Sequence, residues 1–371
     1  MKPNKISVQS IRVSQLIKLF LTLTLALNLL TCTKSTEPNE TQSNNLMVVY
    51  PNLGPNITLV DYNTLEVVKQ IAVDIPDTLG IAGMCLSSNK DYFVFIAMTS
   101  QPPFNSYIVS YNIATDAVNN IFPTGLDSVG APRLSAAYIY DEPGLVYLYS
   151  HNVGLYSIDF FSQEINLISD ERGQSLDKFF YFTSDKQTLA LLKQHYDYAE
   201  VELYTASSRL SNINFTINKN NQDSISFDDL RFSSDNQTMF VTIRISQMRY
   251  IANYFGSYNL QTKKLYKSPI TLPWSLNPYY LDYSPKRNEC YTVGASDKFY
   301  IIGTDSSDYY IKTAIDLTAK VEGPSRILVR PDENVAFVSC ADTNLVFVID
   351  LETRKVLKTI SIESAYLMLL L

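Results

Sequence analysis

Few residues in this chain have the chemistry for catalysis or metal binding, and their spacing limits what they can do. The two histidines are His151, in YSHN, and His195, in KQHY. An imidazole can ligate a metal or move a proton near neutral pH, but two are too few for a multi-histidine metal site. Both are read as polar loop residues, with no metal and no cofactor expected. The four cysteines, Cys32, Cys85, Cys290 and Cys340, include no Cys-x-x-Cys pair and no haem-attachment motif. A nucleophilic thiolate needs a cationic or imidazole neighbour, and the sequence supplies none. Asp305-Ser306-Ser307-Asp308 lacks the alternating acids and central glycine of a calcium loop. No catalytic residue is assigned.

A second set of residues suits recognition instead. Phe104, Tyr196, Tyr198, Arg244, Arg249 and Trp274, the only tryptophan, fall in segments that separate apolar runs. Those segments are Gln101–Phe104, His195–Tyr198, Arg244–Arg249 and Ser268–Pro278. Aromatic rings and guanidinium groups stack and donate hydrogen bonds in fixed directions, which fits a protein, peptide or glycan ligand. The formal net charge of −7 gives no electrostatic attraction to nucleic acid.

The amino terminus reads as an address. Residues 1–18 carry only positive charge, and Leu19 to Leu30 (LFLTLTLALNLL) is an apolar run of twelve. As a helix it would rise about 18 Å, short of the roughly 30 Å of a bilayer core, so it is read as the hydrophobic part of a secretory signal. Leu29-Leu30-Thr31-Cys32 follows and resembles the lipobox of bacterial lipoproteins. The resemblance implies a signal peptide over 1–31, lipid attachment at Cys32 and anchoring in a membrane of the cell envelope. Thr33 after the cysteine, rather than Asp, implies the outer membrane. Thr33 to Asn45 is wholly polar, so 32–45 reads as the lipidated cysteine and a flexible tether. Loss of Lys2, Lys5, Arg12 and Lys18 with the signal takes the formal net charge from −7 to −11.

The elements that must position the loop residues are strands. Tyr (26) and Phe (18) are abundant while Gly is scarce (12), a strand-favouring balance. Pro324 to Ile362 (PSRILVRPDENVAFVSCADTNLVFVIDLETRKVLKTISI) resembles a YVTN-type β-propeller repeat, with four strands and a Pro-Asp turn. Its third turn, Asp350…Thr353, has cognates at Asp61…Thr64, Asn112…Thr115, Asp159…Ser162, Tyr204…Ser207, Asn259…Thr262 and Thr304…Ser307. Each has Ser or Thr at the fourth place, and five of the seven begin with Asp or Asn, whose side chain can close a tight turn. The steps between them are 51, 47, 45, 55, 45 and 46 residues, the period of propeller blades.

These observations predict an all-β, seven-bladed propeller over 46–371. The first blade begins at its second strand, Leu46–Tyr50, and so lacks an innermost one. The apolar end of the chain, Tyr366–Leu371, is expected to supply it and close the ring. The function expected is non-catalytic binding or scaffolding. The alternative, implied by the resemblance alone, is an enzyme of the lactonase or quinone-linked dehydrogenase type.

Overall fold

A computed structural model of the chain describes residues 45–51, 56–72, 78–86, 91–99, 106–123, 134–139, 144–150, 154–169, 178–183, 188–194, 199–204, 209–215, 224–247, 250–273, 279–294, 298–305, 309–317 and 324–371. Asn45–Leu371 form a compact unit of their own. The fold is all-β, with seven antiparallel sheets of four strands each.

Sheet 1 contains β1 (Leu46–Pro51), β2 (Asn56–Asp61) and β3 (Glu66–Ala72). Sheet 2 contains β4 (Thr78–Leu86), β5 (Tyr92–Thr99), β6 (Ser106–Asn112) and β7 (Ala117–Pro123). Sheet 3 contains β8 (Leu134–Ile139), β9 (Leu145–Ser150), β10 (Gly154–Asp159) and β11 (Glu164–Ser169). Sheet 4 contains β12 (Lys178–Phe182), β13 (Leu189–Gln194), β14 (Ala199–Tyr204) and β15 (Arg209–Phe215). Sheet 5 contains β16 (Ser224–Phe232), β17 (Thr238–Gln247), β18 (Tyr250–Asn259) and β19 (Lys264–Leu272). Sheet 6 contains β20 (Tyr280–Ser284), β21 (Glu289–Val293), β22 (Lys298–Gly303) and β23 (Tyr310–Asp316). Sheet 7 contains β24 (Pro324–Val329), β25 (Val335–Cys340), β26 (Leu345–Asp350) and β27 (Lys355–Ser361). The last strand, β28 (Ala365–Leu370), does not extend sheet 7. It pairs antiparallel with β1, giving sheet 1 the order β28-β1-β2-β3.

The turns between third and fourth strands form as their side chains dictate. The Asp61 carboxylate accepts the N–H groups of Asn63 and Thr64 at 2.8 and 2.9 Å. The Asp350 carboxylate does the same for Glu352 and Thr353, at 2.8 and 2.7 Å. Asp159, Asn259 and Asn112 make cognate bonds. The residue four places after each, Leu65, Asp116, Gln163, Lys263 and Arg354, lies at φ between 54° and 62°. None of these is glycine, although a left-handed backbone costs an ordinary residue roughly 1–2 kcal/mol. The two amide bonds to the Asx side chain hold the strained residue in place.

Each middle strand is apolar on both faces because each face meets a different sheet. In β1, Leu46, Val48 and Tyr50 pack with Phe93 and Phe95 of sheet 2. The intervening Met47 and Val49 pack with Phe337, Val346 and Val348 of sheet 7. Buried clusters likewise join sheets 3 and 4, 4 and 5, 5 and 6, and 6 and 7. Between sheets 2 and 3, the Tyr92 and Phe160 rings meet edge-on at 5.7 Å.

Polar contacts between sheets recur in the same places. The Thr242 hydroxyl of sheet 5 donates to the Tyr279 carbonyl leading into sheet 6, at 2.9 Å. The Ser339 hydroxyl of sheet 7 donates to the Tyr366 carbonyl of β28, at 2.7 Å. Arg287 of sheet 6 reaches the carbonyl of Leu351, the residue after Asp350, at 3.4 Å. Arg330 of sheet 7 reaches the carbonyl of Tyr62, the residue after Asp61, also at 3.4 Å. Lys69, eight residues after Asp61, pairs with Asp116 in the turn of sheet 2. Lys358, eight residues after Asp350, donates to the Leu65 carbonyl in the turn of sheet 1, at 3.0 Å. Sheet 7 therefore makes to sheet 1 the contacts that sheets 5, 6 and 1 make to sheets 6, 7 and 2.

Candidate ligand-binding face

Strand β16 reads SISFDDLRF, and its adjacent acids are buried in a run of apolar residues. Buried carboxylates require partners, and these find them across sheet boundaries. Asp229 accepts the Leu281 N–H of β20 at 2.7 Å and the N–H of its own neighbour Leu230 at 3.0 Å. It also accepts from Arg231 at 3.1 Å, and Arg231 reaches on to Asp282 at 3.3 Å. The second Asp282 oxygen accepts the Val329 N–H of β24 at 2.7 Å. An Asp–Arg–Asp chain thus fastens the first strands of sheets 5, 6 and 7. The Arg231 guanidinium lies 5.4 Å from the centre of the Tyr181 ring on β12, which ties in sheet 4. Burial raises the Asp282 carboxyl above the usual carboxylate range despite Arg231.

Asp228 is the extra residue of a β-bulge between Phe227 and Asp229. Its carboxylate receives Arg244 at 3.0 Å and the Tyr279 N–H at 3.2 Å. Burial is the dominant influence on this carboxyl, lifting it from 3.8 to about 6 even though Arg244 and the Tyr279 amide pull it down. Arg244 is the cross-strand partner of Asn253. The Asn253 amide donates to the Pro273 carbonyl at 3.1 Å, and the Tyr279 hydroxyl donates to the same carbonyl at 2.8 Å. The Tyr279 ring occupies the space beside Gly294, where a Cβ would come within 2.5 Å of it. Only a glycine allows this approach.

Arg244 is the one sequence-predicted site residue that the structure describes. It lies on β17 rather than in a loop, because β17 runs to Gln247; β19 likewise runs to Leu272, which shortens the Ser268–Pro278 segment. Phe104, Tyr196, Tyr198, Arg249, Trp274, His151, His195 and Cys32 lie outside the described residues. Cys290 and Cys340 are buried and are not joined in a disulfide. Asp228, Asn253 and Tyr279, which hold Arg244 or the chain on either side of 274–278, were not singled out by sequence reasoning. The available signal was the acid pair in SISFDDLRF. Among the described residues no three His, Cys, Asp or Glu side chains form a metal-binding group. The Arg244 side chain is 18% exposed, with Nη2 on Asp228 and Nε buried.

No protein-family model matches the chain, and no curated protein matches it. Solved structures do match. Hydrazine synthase of Kuenenia stuttgartiensis aligns over 80% of this chain and 89% of that one, with 14% identity and a TM-score of 0.59. A Bacteroides fragilis protein assigned as a 6-phosphogluconolactonase aligns over 90% and 99%, with 12% identity and a TM-score of 0.60. A chain of the mitotic checkpoint complex aligns over 81% and 82%, with 13% identity and a TM-score of 0.56. The class these likenesses define is that of propeller-type β folds. Identities this low speak to fold alone, and the three proteins share no activity by name.

Proposed function

We propose that this chain is an outer-membrane-anchored lipoprotein whose closed seven-bladed propeller binds a protein, peptide or glycan ligand without chemical turnover. The ring reading is supported by the packing of sheet 1 between sheets 7 and 2, and by the contacts that repeat from sheet 7 to sheet 1. The anchor reading is supported by the apolar run before Cys32 and the polar tether after it.

The observation that carries the binding reading is the Asp228–Arg244–Tyr279 clamp. Its carboxylate is occupied in holding strands, and it fixes Arg244, whose side chain is 18% exposed. That is a recognition group held rigidly, with aromatic and arginine-bearing connections next to it in sequence. The test is to isolate the partner by crosslinking in intact cells and incubate it with the purified full chain. The expected result is saturable binding and recovery of the partner with unchanged mass. A product of altered mass, formed only with this protein present, would overturn the reading in favour of an enzyme.

A further inference from the structure

We propose that Asp228 is an acid-released latch on this face: ionised, it holds Arg244 and the start of β20 together, and protonated, it lets both go. The importance of the latch for a ligand rests on the binding role proposed above. The latch itself rests only on contacts within and between sheets 5 and 6.

A single buried carboxylate joins two separate pieces of backbone here. Arg244 stands three residues before the end of β17, and β18 begins at Tyr250. Tyr279 closes the 274–278 connection, and Pro273 opens it. Asp228 binds Arg244 and the Tyr279 amide, while Asn253 and the Tyr279 hydroxyl both bind the Pro273 carbonyl. The paired Arg244 and Asn253 and the residues flanking 274–278 therefore meet in one small polar cluster.

The charged and titratable groups acting on Asp228 are Arg244 from β17 and Asp229 beside it on β16; Tyr280, at the start of β20, is coupled to it in turn. Burial and the Asp229 charge favour the neutral acid, whereas Arg244 and the Tyr279 amide favour the carboxylate. Protonation removes the charge that Arg244 pairs with and turns one acceptor oxygen into a donor. A guanidinium without its carboxylate gains by moving into water, and the Arg244 side chain is already 18% exposed. The Tyr279 amide is left on a weaker acceptor, while Asp228 stays buried, so the state without Arg244 binds the proton more tightly than the paired one. Carboxyl protonation near pH 6 is the region in which burial places this group.

The chain contains one tryptophan, Trp274, immediately after Pro273, so its emission reports on this cluster without a ligand. The full chain in detergent should show a reversible change in Trp emission with a midpoint at about pH 6, while its far-ultraviolet circular dichroism stays constant. Asp228→Asn should abolish the transition. The double variant His151→Ala/His195→Ala should keep it, which separates the latch from ordinary histidine titration. Should Asp228→Asn fail to fold, Arg244→Gln serves instead, and it should move the midpoint to higher pH because a cation that favours the carboxylate is gone. The absence of any transition, an identical one in Asp228→Asn, its loss in the double histidine variant, or an unmoved midpoint in Arg244→Gln would each overturn the latch. None of these readouts depends on a partner, so a failure of the latch is distinct from a failure of the binding role.

Discussion

Met368→Ala tests whether β28 is an integral part of the fold. Met368 is 5% exposed and lies in a cluster that draws on β1, β2, β25 and β26, including Met47, Val49, Val60, Phe337 and Val348. Truncating a buried methionine to alanine typically costs about 2–5 kcal/mol, as lost transfer energy plus a cavity. At about 2.1 cal/mol/K of unfolding entropy per residue, a unit of this length has roughly 0.7 kcal/mol/K at its midpoint. A loss of about 3 kcal/mol should therefore lower the melting temperature by about 4 °C. Calorimetry would be run beside two controls. Val348→Ala, buried in the same cluster, should fall by a similar margin. Leu357→Ala on β27, 54% exposed, should stay within about 0.5 kcal/mol of the parent. If Val348→Ala falls and Met368→Ala melts with the parent, β28 is a loose tail and the closure argument fails.

Deleting Tyr366–Leu371 should go further, because it also uncovers the six buried residues of β1 and opens an unpaired edge; a monomer that melts like the parent would contradict this. Cys32→Ala should abolish labelling by a clickable fatty acid and move the protein from the membrane to the soluble fraction, and unchanged labelling would contradict the anchor. The folded chain binds the Asp228 proton more tightly than the unfolded chain does, so this group's contribution to stability grows as pH falls from about 6 towards about 4. The rise from 3.8 to about 6 corresponds to about 3 kcal/mol. The melting temperature of the parent relative to Asp228→Asn should thus increase between about pH 7 and about pH 5, and a constant difference would refute the assignment.

Much of the architecture was legible because it depends on short-range chemistry repeated many times. The Asx turns announce themselves by an acid or amide and a hydroxyl three places on, and the structure forms them at all five such sites it describes. The missing first strand was a matter of counting turns, and β28 occupies that position. The left-handed residues were not legible, since Leu65, Gln163, Lys263 and Arg354 have nothing in common but their place after the turn. The Arg244 cluster was only half legible. Strand length there depends on pairing with β18 through Gln247, so Arg244–Gln247, which looked like loop, is ladder. The residue that completes the clamp, Tyr279, is 51 positions from Asp228, and no local pattern couples the two.

The central claim is that this face binds a partner, and photocrosslinking from defined positions tests it most directly. A photoreactive side chain would be placed at Arg249, beside the end of β17, and in a second protein at Leu357, on the outermost strand of sheet 7. In intact cells one dominant adduct is expected from position 249 and none of that mass from 357. Trp274→Ala should weaken the adduct, as loss of an anchor worth roughly 1–3 kcal/mol would. The same adduct arising from 357, with 249 silent, would contradict the account.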